Sequence, residues 1–368
     1  MAELKKTVRL LLTGGGTGGH LFPAIAAAEE LCSRLPGAEV LFVGTHRKMD
    51  TTSLSRYGYR VKSIHCYGLK GKSVPHLIKA LLTLPLSFVE ATLSVIRFRP
   101  DVVLGVGGYV TGPVIAAAKM LGKKTVIHEQ NSIPGLANRK LGGFADRVCI
   151  SLPQSASYFP EKKVIFTGNP VRKPILDLAA AEKKEDTEER KDTLLVLGGS
   201  QGAHRVNGLV TEALCSQEFS QPIRVIHQTG SADCGMVREK YARHGIECVV
   251  EPFFTDMAAI YSQADVLVSR AGATTLAELA VLGKPAVLIP YPHAADNHQH
   301  LNADYYAKHG GCIKFSEDTL SAVKLGAQLE ELFTDIAKRN KMAERMRELA
   351  VPKAAANIVD VCMDCIKI

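Results

Sequence analysis

The sequence predicts an α/β protein of two Rossmann-like domains, each a doubly wound parallel sheet. Three observations predict it. Short apolar runs end repeatedly in glycine turns that lead into helical stretches. The 368-residue length suits two domains of about 100–200 residues. A glycine-turn unit near the N-terminus also recurs 184 residues on, half the chain.

VRLLLT (8–13) reads as a strand, GGGTGGH (14–20) as a turn, and PAIAAAEELCSRL as a helix with Pro23 near its start. AEVLFVGT (38–45), DVVLGVGG (101–108) and KKTVIHEQ (123–130) are short, continuous and apolar, as strands covered on both faces should be. PVIAAAKML (113–121) is a helix between the last two. Residues 179–193 are charged, small polar or Ala, and mark the neighbourhood of a domain boundary. TLLVLGGSQGAHRVN (193–207) restarts the pattern, aligning Gly14 with Gly198, Gly18 with Gly202 and His20 with His204. DVLVSRAG (265–272) echoes DVVLGVGG, and GKPAVLIP (283–290) echoes KKTVIHEQ. Convergent punctuation of strand–helix units is the alternative to an internal repeat.

Composition narrows the function. Hydrophobic residues at 46% and charged residues at 22% describe a soluble globular chain, not a disordered or fibrous one. Aromatics at 6% with no Trp argue against base-stacking platforms, while a net charge of +8 favours an anionic partner. Nine scattered Cys fit reduced thiols of a cytosolic protein, and the Cys362–Cys365 pair has no second pair to complete a zinc site. That tail is expected to be frayed or helical. The apolar run Val8–Leu12 is too short for a signal peptide, and no uncharged apolar stretch reaches the roughly 18 residues of a membrane span.

GGGTGGH places backbone N–H groups at a helix N-terminus, where an anion can approach. It lacks both the acidic residue of the dinucleotide fingerprint and the lysine of a P-loop, so alone it is weak. His20 follows the glycines and is the first candidate for a base that accepts a hydroxyl proton; a helix-start packing role is the plain alternative. His128 and Glu129, in the polar run that ends KKTVIHEQ, are the rivals. In the second half, Ser200 and the amides near Gly202 suit a phosphate. Ala273, Thr274 and Thr275 open a helix toward a pyrophosphate, and Glu278 one turn on suits ribose hydroxyls. No metal site is expected: there is no Asp-x-Asp, and His298 and His300 point to different faces of a helix.

Residues 61–99 hold six Lys or Arg, among them Lys70, Lys72 and Lys79, against one acid, Glu90. With their Leu, Ile and Phe content they predict a segment lying on an anionic membrane surface, the alternative being a core helix with a basic edge. Gly71, Pro75 and Pro85 predict a loop and broken helices there.

Seven motifs in order then carry a resemblance: GGGTGGH (14–20), GVGGYVTGP (105–113), HEQNSIPGLANR (128–139), TGNPVR (167–172), GGSQGA (198–203), SRAGATTLAE (269–278) and DNHQHLNA (296–303). Together they resemble the MurG family, peripheral-membrane N-acetylglucosaminyltransferases of peptidoglycan synthesis. The resemblance implies a GT-B fold, with an acceptor domain over 1–170, a UDP-GlcNAc domain over 171–349, and a final helix near 350–368 returning to the first. It implies inverting transfer of GlcNAc from UDP-GlcNAc to the 4-hydroxyl of MurNAc in lipid I, making lipid II. No cofactor is required, a divalent cation being at most an accessory. Thr17, Gly18 and Gly19 would line the donor side, Asn131 the sugar, and Arg172 and Ser200 the diphosphate. Phe254 would meet uracil through its main chain, and Gln299 and Asn302 the GlcNAc hydroxyls. Tyr109 and Asn138 would lie on the acceptor side. Expected partners are the two substrates, an anionic inner-leaflet surface, and proteins of wall synthesis and division, but no nucleic acid. The expected location is the cytoplasmic face of the bacterial inner membrane. Two other readings share parts of this pattern. A UDP-GlcNAc 2-epimerase would not need the basic apolar 61–99 stretch, and a non-catalytic nucleotide- or lipid-binding subunit would not need His20 and His128 together.

Overall fold

A computed structural model describes residues 7–15, 18–46, 54, 57–68, 74–181, 191–199 and 202–366. The chain divides into two compact units, Met1–Arg172 with Val351–Ile368, and Lys173–Ala350. The division falls after Arg172, ahead of the charged 179–193 segment, of which 182–190 lie outside the described residues.

In the first unit β1 (Arg9–Thr13), β2 (Glu39–Thr45), β3 (Arg60–Ile64), β4 (Val102–Gly105), β5 (Lys124–Glu129), β6 (Arg147–Ile150) and β7 (Val164–Phe166) form one parallel sheet in the order 3-2-1-4-5-6-7. Alternation decides which face each residue serves. Leu10, Leu12, Val102, Leu104 and Val126 pack on one side with the Gly18–Arg34 and Ala354–Ile366 helices. Leu11, Val103 and Ile127 pack on the other with the Val74–Phe98 and Thr111–Met120 helices. Both faces are therefore dry, which explains the unbroken apolar strands.

The second unit repeats the plan. β8 (Thr193–Leu197), β9 (Arg224–Gln228), β10 (Cys248–Glu251), β11 (Val266–Ser269), β12 (Ala286–Leu288) and β13 (Cys312–Lys314) pair in parallel in the order 10-9-8-11-12-13. The echoed segments are equivalent strands: β1 with β8, β4 with β11, and β5 with β12. In each sheet the order reverses beside the first strand, the place where open α/β sheets bind ligands.

The C-terminal tail is the Ala354–Ile366 helix, packed on the first unit with Cys362 buried. Arg34 pairs with Asp360 at 2.6 Å, and Asn357 donates to the Thr167 carbonyl at 3.1 Å. Burial pushes the Cys149 thiol up to about 12 and raises Cys362 well above its ordinary value, so both stay protonated core groups.

One expectation about residues 61–99 is corrected. Val74–Phe98 is one helix of 25 residues with Pro85 inside it, not a loop and broken helices. The missing Pro85 N–H would have bonded the carbonyl of Leu81, which lies on the helix's exposed face, where solvent can serve it. Hydroxyls support the neighbouring turns: Thr83 donates to Lys79 and Ala80, and Ser87 to Thr83. The segment Ile78–Phe98 is also long and apolar enough to cross a membrane by length and composition. Its inner face is taken by the sheet, however, with Ala80, Ala91, Val95 and Phe98 buried. Its outer face shows Ile78, Leu81, Leu82, Val89, Leu93 and Ile96, with Leu82 75% exposed.

Candidate active site

In the first unit the turns after β1, β4, β5 and β7 meet at one edge of the sheet. His20 sits in the first turn of the Gly18–Arg34 helix, half-buried, and its Nδ1 lies 3.2 Å from Gln130 Oε1. Gln130 is buried; its amide nitrogen donates to the Val106 carbonyl at 2.8 Å and to His128 Nδ1 at 3.2 Å. Gly107 makes room for the imidazole. It adopts φ +102°, and a Cβ there would lie 2.8 Å from His20 Cε1 and 2.9 Å from Nδ1. A Gly107→Ala variant should therefore lose about 1–3 kcal/mol of stability and much of its turnover, since the ring must shift off Gln130. Unchanged melting and kinetics would show instead that the ring accepts the methyl.

His128 and Glu129 end β5, and neither is placed to meet a substrate. His128 is fully buried, with Nε2 donating to the Gly168 carbonyl at 3.1 Å and 2.9 Å from Ser151 Oγ. Burial pushes its pKa down to about 4, so the ring is neutral at ordinary pH. Glu129 is equally enclosed. Its Oε1 accepts from the Asn131 backbone at 3.0 Å and the Asn131 side chain at 3.3 Å, and its Oε2 from Gly135 N at 3.1 Å and Asn138 Nδ2 at 2.9 Å. Burial raises its pKa against the pull of those four donors. This carboxylate ties the 130–138 loop together. The expectation that His128 or Glu129 acts as the base is corrected for this reason: both are internal supports.

Asn138, expected on the acceptor side, is also internal, donating to the His128 carbonyl and to Glu129, each at 2.9 Å. Asn131 stays half-buried at the rim. Tyr109 is half-buried, its ring beside Gly68 and its carbonyl 3.5 Å from Cys66 Sγ. The Arg172 guanidinium lies 4.6 Å from the Phe22 ring, two residues beyond His20. Gly18 and Gly19 open the helix; Thr17, Ser200, Lys70 and Lys72 lie outside the described residues, while Lys79 is exposed with Nζ 4.8 Å over the Tyr67 ring.

The second unit gathers its candidates at the matching edge. The turn after β8 needs glycine: Gly202 has φ +78°, and a Cβ there would lie 2.2 Å from the Thr229 carbonyl. Ala273, Thr274 and Thr275 begin the Ala273–Leu282 helix, whose N-cap is Gly272 with no side chain to cap the first amides. Those N–H groups suit an anion. Glu278 is 3% exposed and accepts from the Tyr261 hydroxyl at 2.9 Å. Phe254 is buried and its backbone N–H donates to Gln228 Oε1 at 3.0 Å, while Gln228 Nε2 donates to the Gly199 carbonyl at 3.1 Å. The Phe254 contribution to a base is thus reduced to its carbonyl. Gln299 accepts from Tyr291 N at 2.9 Å, and buried Asn302 donates to the Ala271 carbonyl at 3.3 Å. Just before them, Asp296 and Asn297 both hold positive φ, 53° and 57°, a strained pair of the residue types that tolerate it best.

Gln228 and Arg270 were not singled out from the sequence, and Gln130 stood there only as part of a polar run expected to form a ligand-facing rim, whereas it is buried. Arg270 is half-buried, pairs with Glu317 at 2.5 Å and donates to the Ile289 and Pro290 carbonyls at 3.0 and 3.2 Å, holding the ends of β11 and β12. Polar residues at strand ends were the available signal, but the partners of Gln228 and Arg270 are 19 to 47 residues away in the chain, and His20 is 110 from Gln130, all invisible to local pattern. Among the described residues no group of three His, Cys, Asp or Glu is arranged for a metal ion.

Comparison with known proteins places this geometry. Residues 10–150 match the glycosyltransferase family 28 N-terminal domain and residues 193–358 the glycosyltransferase family 28 C-terminal domain. A relative from Desulfotalea psychrophila is 57% identical over 97% of both chains, and one from Myxococcus xanthus is 42% identical over 97% of this chain and 93% of its own. Both are named UDP-N-acetylglucosamine–N-acetylmuramyl-(pentapeptide) pyrophosphoryl-undecaprenol N-acetylglucosamine transferase. The crystal structure of Acinetobacter baumannii MurG aligns over 97% of this chain and 99% of that one, with a TM-score of 0.78 and 29% identity. A UDP-GlcNAc 2-epimerase from Neisseria meningitidis, at 14% identity and a TM-score of 0.68, shares the fold alone. With both halves matched and full-length relatives at such identity, the chain belongs to glycosyltransferase family 28, in its MurG group.

Proposed function

We propose that the protein transfers GlcNAc from UDP-GlcNAc to the 4-hydroxyl of MurNAc in lipid I, with inversion, releasing UDP and forming lipid II. The full-length 57% identity to a transferase named for this reaction carries the reading. The chemistry needs a base and a cradle for the leaving diphosphate. His20 is the base, taking the hydroxyl proton as the oxygen attacks the anomeric carbon and the bond to UDP breaks. The helix-start amides of Ala273–Thr275 and the Arg172 guanidinium offset the charge that develops on the diphosphate, and Glu278 receives the ribose. Incubation with UDP-GlcNAc and a lipid I analogue should yield a β-linked disaccharide. Release of UDP-ManNAc without acceptor would favour the epimerase reading, and no turnover with tight UDP-GlcNAc binding would favour a non-catalytic subunit.

The outer face of the Val74–Phe98 helix supports attachment to an anionic membrane, consistent with a lipid-linked acceptor. Its apolar side chains recur at three- and four-residue spacing, with Lys79 and Arg97 beside them. Wall-synthesis and division proteins are proposed to meet the enzyme at that surface. Replacing Leu81, Leu82 and Val89 together by Glu should cut co-sedimentation with phosphatidylglycerol vesicles about tenfold and leave the melting temperature unchanged, because all three are exposed. Undiminished co-sedimentation would move membrane contact elsewhere.

A further inference from the structure

We propose that Gln130 is a positioning residue that fixes the tautomer of His20, holding the proton on Nδ1 and the lone pair on Nε2, with buried His128 locking Gln130 in that orientation. The inference rests on the assignment of His20 as the base and adds how the chain keeps it competent.

One chain of hydrogen bonds assigns each donor and acceptor in turn. It starts at the Gly168 carbonyl, which can only accept, so His128 Nε2 at 3.1 Å carries a proton, shared with the Ser151 hydroxyl oxygen at 2.9 Å. His128 is neutral because burial disfavours its charge, and a neutral imidazole has one N–H. Its Nδ1 is therefore an acceptor, and it faces Gln130 Nε2 at 3.2 Å. The second N–H of that amide goes to the Val106 carbonyl at 2.8 Å, another group that can only accept. Both Gln130 donors are thereby occupied, and its Oε1 is left facing His20 Nδ1 at 3.2 Å. A carbonyl oxygen needs a donor, so His20 Nδ1 carries the proton and Nε2 the lone pair.

Two backbone carbonyls, one accepting from His128 and one from Gln130, thus set the direction of every bond in the chain, that to His20 included. The order matters chemically because a free imidazole in water prefers the opposite tautomer, with the proton on Nε2. Left alone, His20 would present an N–H where the reaction needs a base. The same Oε1 then faces the positive ring after it has taken the acceptor's proton. The group on Nδ1 is thus an uncharged amide. His204, the counterpart of His20 in the second unit, differs on this point: its Nδ1 bonds the Asp233 carboxylate at 2.8 Å. The two units therefore support equivalent histidines with different chemistry, an amide in one and a carboxylate in the other.

The test is a long-range 1H–15N spectrum of the full-length protein with labelled histidine, His20 being assigned by the signal lost in His20→Ala. Wild type should show a protonated Nδ1 and an unprotonated Nε2. Gln130→Leu, similar in size but unable to accept, should move His20 toward the Nε2–H tautomer. It should also lower kcat about tenfold or more while KM for UDP-GlcNAc changes less than about twofold. Gln130→Glu, which restores an acceptor at Nδ1, should return the Nδ1–H pattern and recover part of the lost kcat. Wild-type His20 with its proton on Nε2 would overturn the inference, as would Gln130→Leu with an unaltered tautomer. Failure of the underlying assignment looks different: His20→Ala at full turnover would remove the base role and leave the spectrum of wild type unchanged.

Discussion

A His20→Ala variant should lose at least about a hundredfold in kcat, the usual scale for removing a positioned general base, while retaining affinity for UDP-GlcNAc. The separation of the two effects follows from where the residue sits. His20 belongs to the first unit, beside Gln130 and Gly107, whereas most of the groups assigned to the nucleotide, Ala273–Thr275 and Glu278, are in the second, Arg172 being the exception. Losing the imidazole removes the proton acceptor and leaves the second unit's core and turns untouched. Steady-state kinetics with a lipid I analogue, together with calorimetric titration of UDP-GlcNAc, reads both quantities. Near-normal turnover would oblige a different group to accept the proton. It would not restore His128 or Glu129 to the role, because His128 is enclosed with both ring nitrogens engaged and Glu129 accepts four bonds from its own loop.

Acid should unfold the protein through two buried histidines, one in each unit. Burial pushes His128 down to about 4 and His227 down to about 3, from 6.5 when exposed. Below that upper value the unfolded chain binds a proton at each site and the folded chain does not. Stability is therefore complete above pH 6.5 and falls as pH drops toward 4, by about 1.4 kcal/mol per pH unit for each histidine. His227 cannot escape by rearrangement, since Nδ1 lies 3.0 Å from the Tyr241 hydroxyl and Nε2 3.1 Å from Asn207 Oδ1. The urea midpoint should fall steadily between pH 6.5 and 4.5. A flat midpoint across that window would mean that both rings are charged in the folded state, and half the slope that one of them is.

The glycine turns were legible from local pattern because backbone geometry demands them where two turns approach within van der Waals distance. A Cβ at Gly108 would lie 2.7 Å from the Gly15 carbonyl, and one at Gly202 still closer to Thr229. The continuous apolar strands were legible because both sheet faces are covered. His20 was legible from its place beside such a turn. His128 and Glu129 looked equivalent to it in the sequence, since adjacent polar residues at a strand end carry no mark of which side chain faces inward.

Sequence alone therefore determined the two-unit α/β plan, the 184-residue echo between equivalent strands, and the family to which the chain belongs. Those features rest on periodicity, turn chemistry and motif order, all written along the chain. Tertiary structure decided the division of labour among the polar residues, because that depends on burial and on partners distant in sequence. Gln130 meets His20 across 110 residues, and Asn357 reaches Thr167 across 190. It also decided that Val74–Phe98 is one helix despite Pro85, since packing Ala91, Val95 and Phe98 on the sheet outweighs one missing N–H on the face turned outward.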